Sequence, residues 1–294
     1  MAGSMRCNKP RGGIRSISLP CRPHSSTYKM DQELNKLKTW EAEVSSNAPT
    51  AETICKGLSG LGELYRCTDD LLNLPLTQQA LSSLQHDDSF NELLDGSIRF
   101  LDICGSAKDI MSQVKVNAAD LHSCLRRRPK GDPSSFTKYT LFRKKISKDA
   151  KRLATFLNQV DNRTSGSQFA DLDQHLISVI RVLNEVTATT ISVFNYVLVF
   201  LATSTKVKST KWSLVSRFMH KNRVACEDHQ QMNEMEKVDA ELSSITSGST
   251  KKSGLLKQRL EALEAGVEGI ENELDCMFRH IIRIRTSLLN IVSQ

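Results

Sequence analysis

Apolar residues recur along this chain in steps of three and four, the spacing that lines one face of an α-helix. Met30, Leu34, Leu37, Glu41 and Val44 share one such stripe, with Trp40 beside it. Asn47-Ala48-Pro49 ends that segment, and the Thr50 hydroxyl can cap the next helix. Ile54, Leu58, Leu61, Tyr65 and Leu72 carry the pattern to a break at Pro75, and Thr77 to Leu84 reads as a short helix. Asp87, Asp88 and Ser89 supply cap chemistry for a long helix. Its stripe is Leu94, Ile98, Leu101, Cys104, Ala107, Met111, Val114, Ala118, Leu121 and Leu125, and Pro129, Gly131 and Pro133 close it.

The second half repeats the pattern in longer pieces. Phe136, Tyr139, Phe142, Ile146, Leu153, Phe156 and Val160 predict a helix ending near Thr164-Ser165-Gly166. Phe169, Leu172, Leu176, Val179, Leu183, Val186, Thr190, Val193, Val197 and Phe200 predict the next. After a Lys- and Ser-rich stretch, a helix is expected from about Trp212 to Ser243, then a linker over Thr246–Gly254. The last helix carries a strict 4,3 repeat: Leu256, Leu260, Leu263, Val267, Ile270, Leu274, Met277, Ile281, Ile284, Leu288 and Ile291. That spacing favours a coiled-coil-like seam, weakened locally by Gly266 and Gly269. Glu261, Glu264, Glu268, Glu271 and Arg259 keep the outer faces wet. A narrow apolar seam has to bury itself against another helix. The Phe169–Phe200 helix of the same chain is the expected partner, and the same helix of a second copy is the alternative.

Composition agrees. Over 294 residues, 39% are hydrophobic and 25% charged, which suits a globular protein. Aromatics reach only 5%, thin for a β-sandwich, and the last of 7 prolines is Pro133. The expected fold is all-α: an elongated multi-helix bundle with a long C-terminal coiled-coil-like helix and a disordered basic N-terminal tail. The tail takes 1–28 and the helical domain 29–294, with sub-boundaries near 129–134 and 246–254. None of the 8 cysteines forms a C-x-x-C pair, and the first 30 residues hold no apolar run, so reduced thiols are expected.

The first 30 residues hold six basic residues and no acid; Asp31 is the first carboxylate. Within them, Arg15-Ser16-Ile17-Ser18-Leu19-Pro20 fits the R-S-x-S-x-P pattern that 14-3-3 proteins read when the second serine is phosphorylated. Phosphate adds about −1.5 to −2 charges for an arginine cluster to grip. Arg15, Ser16, Ser18 and Pro20 are therefore candidate partner residues. An acid-free, Ser-bearing start also resembles an organelle transit peptide. The expected location is cytoplasmic, with a peripheral membrane or plastid location as the alternative.

The net charge of +7 is unevenly spread. From Arg126 to Arg152 there are eleven basic residues against Asp132 and Asp149. A second basic run follows the uncharged stretch Val186–Thr205. Arg126, Arg127, Arg128, Lys206, Lys208 and Lys211 are candidate contacts to an anionic membrane surface. The apolar block Ile191–Ala202 is short and broken by Ser192 and Asn195, so a buried core helix is expected there. No zinc-finger, RNA-binding-sheet or helix-turn-helix motif accompanies the charge, and nucleic acid is not an expected partner.

Catalytic chemistry finds little support. Gly57-Leu58-Ser59-Gly60-Leu61-Gly62 suggests a nucleophile elbow or phosphate loop, but both need a preceding strand; close helix packing is expected instead. His220, Cys226 and His229 lack the partners of a four-ligand metal set. Asp69 and Asp70 diverge by about 100° on a helix and cannot face one substrate together. No catalytic, metal-binding or cofactor-binding residue is assigned, and the protein is not expected to be an enzyme.

Longer motifs carry a resemblance. Arg15-Ser16-Ile17-Ser18-Leu19-Pro20-Cys21-Arg22-Pro23-His24, Gly57 through Tyr65, Asp70 through Leu81, Glu92 through Gly105 and Leu125-Arg126-Arg127-Arg128 resemble a plant-specific family of unknown biochemical function related to the BYPASS proteins. The resemblance implies a plant protein associated with root and shoot development, and carries over no catalytic residues. The expected function is that of a non-enzymatic regulatory or interaction protein acting through helical protein–protein contacts. The alternative is a peripheral membrane-associated trafficking or signalling adaptor.

Overall fold

All eleven seam positions from Leu256 to Ile291 are buried, none more than 8% exposed. They lie on the last of eight helices in a computed structural model that describes residues 25–45, 48–84, 88–128, 132–161, 174–203, 232–246 and 253–293. In chain order these are α1 (Ser25–Val44), α2 (Ala51–Leu72), α3 (Pro75–Ser82), α4 (Asp88–Arg127), α5 (Pro133–Asp161), α6 (Gln174–Ala202), α7 (Glu234–Thr246) and α8 (Ser253–Val292). No strand occurs among the described residues. The all-α, elongated bundle expected from periodicity is the fold observed: α4 and α8 each have 40 residues, about 60 Å of helix.

The seam of α8 closes within the chain, but not against the expected partner. It packs mainly on α4 and α2, with α7 alongside. Length and polar contacts fit this pairing. α4 is as long as α8 and runs antiparallel to it, so polar and charged side chains of the two helices meet along the pair. His122 lies 3.5 Å from both Glu261 and Glu264. Lys115 faces Glu271 at 3.5 Å and Glu268 at 3.7 Å, Lys108 pairs with Asp275, and Arg285 reaches Ser97 at 3.0 Å. α6 packs instead on α5, α2, α3 and α1. Gly266 and Gly269, weak points by propensity, let α2 come close: a Cβ on Gly266 would stand 2.7 Å from Ala51 Cβ, and one on Gly269 3.2 Å from Cys55 Sγ.

Local details follow the chemistry of each segment. The Thr50 hydroxyl accepts the Thr53 N–H at 3.3 Å and caps α2. α3 opens at Pro75 rather than Thr77, because a fixed φ and a missing N–H suit the first helical position. α1 opens at Ser25, inside the residues assigned to the tail. In α4, Ser97 and Phe100 turn inward and Ile98 is 41% exposed, a shift from the expected stripe. In α5, Ala154 and Leu157 are buried while Phe156 is 37% exposed. The helix expected over Trp212–Ser243 is seen only from Glu234, and 212–231 lie outside the described residues.

Candidate functional site: the basic outer face of α5

α5 has two unlike faces. Phe136, Tyr139, Arg143, Ile146, Ala150, Ala154 and Leu157 point into the bundle. One member of that stripe is an arginine, only 4% exposed. Its Nε donates to the Asp239 carboxylate of α7 at 3.2 and 3.3 Å. Its Nη1 donates to the Leu201 carbonyl at 3.2 Å and its Nη2 to the Thr203 carbonyl at 2.6 Å. Ser147 Oγ donates to the Ala202 carbonyl at 2.8 Å, and Asn233 Nδ2 to Thr203 Oγ1 at 2.7 Å. The last carbonyls of α6 are thereby satisfied, and a cation sits where the helix dipole favours one. Losing one partner of such a pair would strand a buried charge, so α5, α6 and α7 are fixed together at this point.

The outer face is cationic. Lys138, Lys144, Lys145, Lys148, Lys151 and Arg152 are exposed along it. Lys144, Lys145 and Lys148 make no ion pair with any described residue, whereas Lys138 pairs with Asp120 at 3.0 Å and Arg152 with Asp149 at 3.5 Å. Two large apolar side chains share this side: Leu141, 59% exposed, and Phe156.

At the corner with α4, a polar cavity of about 500 Å³ is bordered by Arg127, Arg128, Asp120, Asp132, Lys138 and Tyr139. The Ser134 and Ser135 hydroxyls hold the Asp132 carboxyl below its usual range, and Arg128 stands 3.9 Å away. The Tyr139 hydroxyl is buried without a hydrogen-bond partner, and burial pushes its phenol up. A smaller cleft of about 80 Å³ opens between α2, α4, α6 and α8, floored by Phe100, Val186, Ile281, Ile284 and Leu288.

Arg126, Arg127 and Arg128 are all exposed in and after the last turn of α4, and only the latter two border the corner cavity. Arg15, Ser16, Ser18, Pro20, Lys206, Lys208 and Lys211 lie outside the described residues, as do His220, Cys226 and His229. Gly57 serves packing: it seats the Trp40 ring, whose Nε1 donates to the Thr53 carbonyl at 2.8 Å and which meets Tyr196 edge-on at 5.2 Å. Asp69 accepts from Ser287 Oγ at 2.7 Å, tying α2 to α8. In the linear sequence the lysine face is only part of a charge block. Sorting the same residues by helical face would have found it, because Leu141, Lys144, Lys148 and Lys151 follow three- and four-residue steps. The apolar block of α6 is inside the bundle: α6 is the one described helix long and apolar enough to cross a membrane, and 67% of its apolar window is buried.

Fold and surface together define an all-helical bundle, closed on itself, that turns a cationic helix face to solvent. The family model described as Protein BPS1 matches residues 57–291, so the chain belongs to that family, the BYPASS-related plant group its motifs resemble. Membership points to a role in plant development. No curated protein and no solved structure matches the chain.

Proposed function

We propose that the protein is a non-enzymatic interaction protein of root and shoot development, acting by presenting the outer surface of a rigid bundle to partners. The observation that carries this reading is the lysine row of α5, whose three central cations have no partner among the described residues. The polar groups inside the bundle support it from the other side. Arg143 with Asp239, Tyr65 with Thr190, and Ser192 with Glu41 each join two helices. Such groups are spent on architecture rather than on a substrate. A second contact is proposed for the tail, where phosphorylated Ser18 would engage a 14-3-3 protein. The partner of this face can be a protein or, for a peripheral membrane adaptor, an anionic membrane surface; Leu141 and Phe156 beside the same lysines bear on that choice.

One complementation experiment addresses both contacts. Plants lacking the protein are supplied with the wild-type chain, with a Lys144→Gln/Lys145→Gln/Lys148→Gln variant, or with Ser18→Ala. The reading expects both variants to accumulate and melt like wild type while failing to restore root and shoot growth. Full rescue by the lysine variant would remove the α5 face as the working surface, and full rescue by Ser18→Ala would remove the tail contact.

A further inference from the structure

We propose that the outer face of α5 docks on an anionic lipid bilayer, with the bundle intact and α6 remaining inside it. The inference rests on the reading of this face as the working surface and names its partner.

Three observations point to a bilayer rather than to another polyanion. First, the charges stand in a row on one helix face: three lysines with no ion pair to any described residue, and Arg152, which pairs with Asp149 at 3.5 Å. Leu141, Lys144, Lys145, Lys148, Arg152 and Phe156 occupy one side of a single helix, about 22 Å from end to end. A row on a convex helix meets a plane along its whole length. Second, the two ends of the row are apolar. Leu141 and Phe156 are 59% and 37% exposed, and water rewards neither. In a headgroup layer both side chains reach the acyl boundary, while the lysine stems lie along it and raise their ammonium groups to the phosphates. A nucleic acid would gain from the charges and nothing from Leu141. Third, the inner side of the same helix is pinned. Arg143 and Ser147 hold the last carbonyls of α6, and Arg143 holds Asp239 of α7. The face is therefore presented ready-made, and the helix behind it cannot leave for the membrane without stranding the Arg143 charge. The contact is peripheral, although α6, alone among the described helices, has the length and apolarity of a span.

The strength follows from the charges. Each lysine near an anionic leaflet is worth about a fivefold gain in partitioning, so removing three weakens binding about a hundredfold. The full chain is sedimented with vesicles of phosphatidylcholine alone, or with about one part in four phosphatidylserine, at about 0.1 M salt. Wild type should sediment with the phosphatidylserine vesicles only, and about 1 M salt should release it. The Lys144→Gln/Lys145→Gln/Lys148→Gln variant should bind about a hundredfold more weakly with an unchanged melting temperature. Leu141→Ser/Phe156→Ser should also bind more weakly, which a purely ionic contact would not show. A Lys36→Gln/Lys56→Gln variant, altered on α1 and α2, should bind like wild type.

The proposal is overturned if wild type ignores phosphatidylserine vesicles, if the lysine variant binds them equally well, or if release requires detergent. It is also overturned if duplex RNA at the same salt displaces the vesicles from the α5 face. Absence of vesicle binding, combined with failed complementation by the lysine variant, would leave the working surface standing and assign it to an acidic protein partner. Absence of both effects would remove the surface altogether.

Discussion

Trp40 fits over Gly57 because that position has no side chain. A Cβ there would lie 2.7 Å from Trp40 Cε2 and overlap the ring further out, so the indole would have to leave Thr53 and Tyr196. Five residues on, a Cβ at Gly62 would meet His280 at an ordinary 3.6 Å. The two glycines look alike in sequence and should behave oppositely. Gly57→Ala is expected to destabilise by about 1–3 kcal/mol, and Gly62→Ala to be neutral or to gain up to about 1 kcal/mol from helix propensity. Urea unfolding of the two variants decides it, and equal losses would contradict the packing described. The sequence did reveal that this glycine run packs helices, but not which glycine is critical, because that depends on where Trp40 of another helix falls.

His280, the neighbour of Gly62, sets a pH dependence. Burial lowers its pKa from the ordinary 6.5, reinforced by Arg283, Arg66 and Arg279 and opposed by Glu63. The folded state thus binds a proton less readily than the unfolded chain. Its stability contribution is complete above pH 6.5 and is lost as the pH falls through the lowered value. Melting temperatures should drop on acidification below that point, and His280→Gln should show a smaller drop than wild type. An identical drop in both would place the acid sensitivity elsewhere.

At the scale of the helix, the seam of α8 was legible because one narrow stripe is buried along its whole length. Its partner was not, because α4 and α6 carry similar stripes. What distinguishes α4 is its matching length of 40 residues and the polar contacts from His122 to Lys108 opposite Glu261 to Asp275, which become visible once the helices are aligned antiparallel. α5 departs from simple periodicity. A buried arginine, Arg143, joins its inward stripe beside Phe142, which packs partly buried against the core, and Leu157 rather than Phe156 fills the inward position near its end. Leu274 lies at the middle of the seam, fully buried, with its carbonyl 3.3 Å from Cys104 Sγ. Leu274→Asp should cost on the order of 3 kcal/mol or more and loosen the monomer, seen as lost helical circular dichroism or a lower melting temperature. A variant that stays fully helical and changes only its oligomeric state would mean that the seam serves a second copy instead.

At the scale of the whole molecule, the bundle is organised so that its most apolar helix is the best enclosed. Val193, Phe194, Val197, Leu198, Phe200 and Leu201 of α6 are all 1% exposed or less, and Arg143 closes the end of that helix. The cationic face lies one helix further out. Composition alone placed an apolar block and a basic block near each other in sequence and could not say which of them meets a partner. Packing answers for the described residues: the apolar block is core and the lysines of α5 are surface, while Lys206, Lys208 and Lys211 lie outside the described residues. Hydrogen exchange along α6 in the full chain, with and without phosphatidylserine vesicles, tests this arrangement most directly. In both conditions α6 amides should exchange as slowly as those of the α8 seam, limited by global unfolding. If vesicles make α6 exchange faster while α8 stays protected, α6 leaves the bundle to act, and the arrangement of an enclosed apolar helix behind a working basic face is wrong.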